Sequence, residues 1–244
     1  MQIKNRKKLF IIYFLSLFLC NLNLAADEFN ITAKEILIDK ENKILIGKGS
    51  VQAVDSEGKL IIADKITYEK SREYLLAEGN VKIADIEGNI LKTDKSTYDK
   101  INEIISTYGN TELILKEGYN LVSKNILYNT KERILSSKEN SVFSDNDGNV
   151  IETSMFQYHV ENNLFSSIGK IKIIDIKKNK YFFKELHVDT QKKEMIGSDV
   201  SMVLDQENFG VSEESDPRFV ANDIFITKDK TNLSKGVFTI CKKR

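Results

Sequence analysis

From Ala63 to Leu91 the chain reads ADKITYEKSREYLLAEGNVKIADIEGNIL, and from Thr93 to Leu121 it reads TDKSTYDKINEIISTYGNTELILKEGYNL. The two stretches share a register 30 residues apart. Working outward, AKEILIDKENKILIGKGSVQAVDSEGKLI from Ala33, SKNILYNTKERILSSKENSVFSDNDGNVI from Ser123 and TSMFQYHVENNLFSSIGKIKIIDIKKNKY from Thr153 keep it without a gap. A weaker copy begins at Phe183. One apolar or tyrosine column runs Ile38, Tyr68, Tyr98, Tyr128, Tyr158, Val188; a second runs Leu45, Leu75, Ile105, Leu135, Phe165, Met195; a third runs Ile61, Leu91, Leu121, Ile151, Tyr181. Self-similarity at a fixed period of this size marks stacked units, none of which buries its apolar face alone.

Apolar runs within each copy are short and are bounded by turn clusters such as Asp39-Lys40-Glu41-Asn42 and Asp145-Asn146-Asp147-Gly148. That spacing predicts strands rather than helices. Alternation agrees, since Ile36 and Ile38, Ile66 and Tyr68, Ile126 and Tyr128, and Phe156 and Tyr158 would each share a face. The expected fold is all-β: an elongated antiparallel β-jelly-roll of stacked repeats, each a rung of about four short strands. Its open sheet edges are places where another strand could add. The register breaks between Glu207 and Pro217, the one proline, and resumes at Ala221. The expected organisation is a repeat domain over 27–206, a loop over 207–220 and a last repeat over 221–244 that is cut short.

The N-terminus is basic at Lys4, Arg6, Lys7 and Lys8, apolar from Leu9 to Cys20, and small at Ala25 and Ala26. This is the pattern of a secretory signal peptide over 1–26, and the run is shorter than the roughly 20 apolar residues of a spanning helix. A large residue, Leu19, precedes Cys20 where a lipidation site needs a small one. The whole chain balances 36 basic against 36 acidic residues, so losing the four basic ones leaves it mildly acidic. That charge argues against a nucleic-acid partner. Cys241 then remains as a single exported thiol, either unpaired or half of an intermolecular bond.

Enzymatic chemistry finds no footing in the sequence. A glycosidase-like site needs paired carboxylates in one cleft, whereas Asp and Glu here gather in turns. His159 and His187 lie nearly a repeat apart with no neighbouring Cys or His to complete a metal site, and no phosphate loop or nucleophile elbow occurs. The expectation is no enzyme, no metal and no cofactor. The tyrosine column could be packing residues with a polar tip or a sugar-stacking platform, and the repeat itself could be an adhesin-like scaffold.

The A-D-x-I-x-Y opening and the A-E-G-N-V-K stretch at Ala77–Lys82 resemble the OstA-type domain shared by the lipopolysaccharide-transport proteins. Asp216-Pro217-Arg218 followed by Lys235-Gly236-Val237-Phe238-Thr239-Ile240-Cys241 is similar to the segment that closes the N-terminal periplasmic domain of the LptD family, before its β-barrel. The resemblance implies a V-shaped apolar groove carrying the acyl chains of lipid A in the periplasm towards the outer membrane. Its lining candidates are Ile38, Leu45, Tyr68, Leu75, Tyr98, Ile105, Tyr128, Leu135, Tyr158 and Phe165, which could equally form a packed core. It further implies lipopolysaccharide as ligand, other OstA-like proteins as partners by edge-strand pairing, and a partner cysteine on a barrel for Cys241; with no barrel in these 244 residues, the expectation is a split protein with a separately encoded outer-membrane barrel, a truncated product or a free-standing shuttle.

Overall fold

The computed structural model describes residues 29–241 apart from 57, 117, 213 and 214; the expected signal peptide lies outside them. The described chain is one antiparallel sheet of 19 strands that runs as a meander, each strand position pairing with the positions before and after it. The first strand position is split between β1 (Phe29–Thr32) and β2 (Glu35–Asp39). Long strands follow: β3 (Ile44–Asp55), β4 (Leu60–Glu69), β5 (Tyr74–Ala84), β6 (Ile90–Asp99) and β7 (Ile104–Ile114). Next come three split positions: β8 (Asn120–Lys124) with β9 (Leu127–Asn129), β10 (Ile134–Ser137) with β11 (Ser141–Ser144), and β12 (Val150–Thr153) with β13 (Phe156–His159). β14 (Leu164–Ile174), β15 (Lys180–Asp189), β16 (Glu194–Val203) and β17 (Arg218–Ile226) are long again, and β18 (Thr231–Ser234) and β19 (Val237–Thr239) share the closing position.

The sheet is folded on itself. Phe143 stands opposite Ile151, which stands opposite Ile173 of β14, and Phe165 lies eight residues away on that strand. At about 3.3 Å per residue a flat sheet would hold Phe143 and Phe165 roughly 26 Å apart, yet their rings are 5.2 Å apart. The strands are creased midway, and their halves form two facing walls. Register shifts mark the crease between Lys48 and Val51, Ile62 and Lys65, Glu78 and Val81, Thr93 and Lys95, and Ile168 and Ile171. Such bulges bend a strand without ending it. At two of them glycine is required: Gly79 (φ 75°) and Gly109 (φ 89°) take a left-handed backbone, and a Cβ on either would strike the carboxylate of Asp64 or Asp94.

The all-β, elongated antiparallel expectation holds, but the rung is simpler than four short strands. Over most of the chain a repeat is two long creased strands. The halves separate over Asn120–His159, where Glu139 occupies the glycine position of the bulge. The segment expected as a loop over 207–220 contains the end of a short helix, α1 (Gln206–Phe209), and the start of β17 at Arg218.

Two apolar clusters lie inside the crease. One is built on Val51, Ile61, Ile66, Leu75 and Val81; the other on Ile126, Phe156, Phe165, Phe183 and Leu186. Along the crease hydroxylic side chains also lie inside: Thr93, Ser96, Thr107, Thr111, Ser123, Ser137, Ser141, Thr153 and Ser167 are buried. A bulge or strand break takes backbone groups out of the ladder, and buried polar groups need partners. The hydroxyls supply them: Thr153 and Ser167 donate to Met155 O at 2.9 and 2.8 Å, and Ser137 donates to Lys124 O at 3.0 Å. Ser123 and Ser141 are bonded at 2.7 Å.

Candidate functional site

The first two sequence columns merge into one row across the first wall. Ile38 stands opposite Leu45, and the row continues through Tyr68, Leu75, Tyr98, Ile105, Tyr128, Leu135, Tyr158 and Phe165, each directly opposite the next. Directly opposite residues have Cβ atoms about 4.5–5.5 Å apart, so the row is continuous apolar surface. The second wall carries its own row through Ile61, Ile83, Leu91, Leu113, Leu121, Phe143 and Ile151.

Burial divides the candidates. Tyr68, Leu75 and Phe165 are buried, whereas Leu45, Tyr98, Ile105, Tyr128, Leu135 and Tyr158 are half-buried. Ile38 is 65% exposed, because β2 is the edge strand and nothing among the described residues packs outside it. The interior is thus packed at some rungs and accessible at others. Aromatic rings close it at two places: Phe29 against Tyr68 at 5.5 Å, and Phe143 against Phe156 and Phe165 at 4.7 and 5.2 Å, all edge-on. Beside the first closure Phe29, Ile61 and Ile83, with Leu75, Tyr98 and Ile105 of the facing wall and Ala77 and Ser96 at the crease, line an apolar cleft so narrow that it has room for about one water molecule.

Asp55 and Lys59 stand at the mouth of that cleft. The Lys59 ammonium lies 3.5 Å from Asp55 Oδ2 and 5.8 Å from the centroid of the Tyr98 ring, so it reaches from one wall to the other. One period on, the same turn position holds Asn89, then Tyr119, and later Asn149 and Asn179. Each of these amides donates to the aspartate four residues before it and accepts from a backbone amide of the next rung, that of Lys116, Ile176 and Asp205 respectively. Lys59 departs from this stitching role. Sequence reading missed it and the crease hydroxyls.

The remaining polar candidates lie outside the interior. His187 bridges Ser166 (3.0 Å to Nδ1) and Glu185 (2.9 Å to Nε2) on the outer face of the first wall. A serine nucleophile also needs convergent donors for an oxyanion, and the surrounding residues of β14 and β15 are paired in an antiparallel ladder. No group of three metal-ligating side chains occurs among the described residues. Cys241 is exposed and unpaired within the described chain, and its carbonyl accepts from Arg218 at 2.8 Å.

Fold and interior together define a creased β-meander with a partly open apolar lumen. The crystal structure of LptH from Pseudomonas aeruginosa, described as the LptA homologous periplasmic component of the conserved lipopolysaccharide transport device, is similar over 72% of this chain and 94% of its own, at 12% identity and a TM-score of 0.23. A superposition that loose bears on neither fold nor function. No family model and no curated protein matches the chain.

Proposed function

We propose that this chain handles lipopolysaccharide in the periplasm, seating lipid A acyl chains against the two apolar rows while sugars and phosphates stay in water. The observation that supports this most directly is the half-burial of Tyr98, Ile105, Tyr128 and Leu135 on inward-facing positions. A closed core would bury them; an open one leaves apolar surface for a ligand, worth about 25 cal/mol per Å² covered. No bond is made or broken in such a role. The open edges at β2 and at β18 with β19 would pair with related domains by strand addition. Cys241, beside the last strand, would bond to a cysteine of an outer-membrane barrel of the LptD kind.

Photocrosslinking side chains at Tyr98 and Leu135 test the reading in cells making lipopolysaccharide. Both positions are expected to label the glycolipid, and Lys100, in the turn after β6, is expected not to. Labelling at Lys100 without labelling at the inward positions would overturn it, and a β-scaffold or carbohydrate-binding role would take its place.

A further inference from the structure

We infer that the second wall parts along a seam between β8 and β11, and that this seam is where the interior opens. The inference rests on the reading of the interior as a seat for acyl chains and adds the movement that such a seat needs. As the walls stand, the cleft beside the first aromatic closure has room for about one water molecule, and Phe143, Phe156 and Phe165 close the interior further on. A hydrocarbon chain enters only if the walls move apart.

The strand junctions of the second wall differ in what holds them at the rim. Where the hairpin turn lies at the far end of the first wall, the second-wall ends are not joined by the chain and depend on a tie. Asn89 supplies one between β6 and β7, accepting from Lys116 N at 3.1 Å. Asn149 does the same between β12 and β14 (Ile176 N, 3.2 Å), and Asn179 between β15 and β16 (Asp205 N, 2.9 Å). At the last junction Asp216 N donates to Ile240 O at 3.0 Å. Outer ion pairs reinforce two of these junctions, Lys92 with Glu112 and Lys172 with Glu152, each at 2.9 Å. β4 and β5 lack the asparagine, but both run unbroken through the crease.

Among the described residues β8 and β11 have none of these supports. Both stop at the crease, and they pair only through Asn120 with Ser144, Leu121 with Phe143 and Val122 with Val142. Tyr119 stands in the asparagine's place, and the outer pair is Val122 with Val142, 47% and 41% exposed, instead of an ion pair. Asn120 Oδ1 is buried at the seam with no hydrogen-bond partner among the described residues, and parting would give it water. The crease end is pinned by Ser123, bonded to Ser141 at 2.7 Å and to Ser137 at 3.1 Å. The seam therefore opens from the rim about a serine hinge, and moving β11 lifts Phe143 off Phe156 and Phe165. A short ladder without side-chain ties is the kind of region that opens locally while the rest of the fold stays closed.

Amide hydrogen exchange of the intact protein, read by nuclear magnetic resonance, tests the seam. Amides shared between β8 and β11 are expected to exchange about tenfold faster than those shared between β6 and β7. A second readout uses a thiol probe in a Cys241→Ser background. Leu121→Cys, buried at the seam, should react with a maleimide about tenfold faster than Leu75→Cys, buried in the N-terminal cluster, because only the first is uncovered by local opening. Tyr119→Asn combined with Val122→Lys and Val142→Glu rebuilds the tie and the ion pair, and should slow both readouts at the seam to the level of the β6–β7 junction. Circular dichroism checks that each variant keeps the native fold.

Equal exchange at the two junctions overturns the inference, and so does reaction of Leu121→Cys that the rebuilt tie leaves unchanged. Should the variants fail to fold, exchange in the unaltered protein decides alone. If Tyr98 and Leu135 label lipopolysaccharide while the two junctions exchange alike, the seam fails and the transport reading stands. If the seam opens without lipopolysaccharide labelling, the reverse holds.

Discussion

Thr111 sits in the middle of a buried relay. It is bonded to Thr93 and donates to Thr107, both at 2.9 Å, and Thr107 accepts from Ile126 N at 2.9 Å. Thr111→Val removes the shared partner and leaves Thr93 with contacts of 3.4 and 3.3 Å to the Lys95 and Tyr108 carbonyls. Leaving a buried hydroxyl poorly paired costs about 1–3 kcal/mol, and urea unfolding should show a midpoint lowered accordingly. The double variant Thr93→Val/Thr111→Val is expected to lose less than twice as much, since no orphan remains. A second residue-scale device is the Tyr181 hydroxyl, which donates to Asp175 at 2.9 Å. Burial opposes the charge on Asp175, but hydrogen bonds from the Asn179 side chain, Tyr181 and the Asn179 and Lys177 amides outweigh it and hold the carboxyl below its ordinary 3.8. A lowered carboxyl contributes stability that is present above the unfolded value and lost as pH falls through the folded one. Acid titration followed by near-ultraviolet dichroism should therefore show destabilisation beginning below about pH 4, and Tyr181→Phe, which removes one of the hydrogen bonds lowering the carboxyl, should shrink the acid-dependent loss. Tyr181 itself is pushed up to about 12 by burial and then by Asp175, so its share is full below 10 and lost as pH rises through 12.

At the scale of the element, the creased strand is the unit. Gly109→Ala would place a side chain at φ 89° and against the Asp94 carboxylate. A left-handed conformation alone costs about 1–2 kcal/mol for a residue with a Cβ, so thermal unfolding should fall by several degrees, and more than for Gly148→Ala, which meets nothing. Phe165, 6% exposed and packed edge-on to Phe143, should cost about 3–5 kcal/mol when cut to alanine. Strands and their inward faces were legible in advance because Tyr68, Tyr98, Tyr128 and Tyr158 repeat a bulky residue at constant spacing. The crease was not. Its columns, such as Ala77, Thr107, Ser137 and Ser167, hold small residues that read as surface when polar. The bulge keeps a strand running through what looks like a turn signal, which is why four short strands were expected where two long ones stand. Lys59 was illegible for another reason: its meaning depends on Tyr98, which the fold brings to it from the facing wall.

For the molecule as a whole, the two ends differ from the middle. β2 is exposed along its length, and Phe238 of β19, 43% exposed, leans on Phe219 and Phe209 at 4.5 and 5.8 Å. Such ends invite strand addition, so sedimentation over a dilution series should show size falling with concentration; one constant mass throughout would count against pairing through the edges. The neighbour-to-neighbour pairing of the meander has a further consequence, for how the protein is made. Among the described residues no strand waits for a partner from far along the chain: β4 finds β3 behind it, and β5 finds β4. Contacts this local favour rapid folding, and a stack held by nearest-neighbour terms can grow from any nucleus. Folding could therefore keep pace with emergence of the chain, N-terminal rungs first, each new hairpin templated by the last.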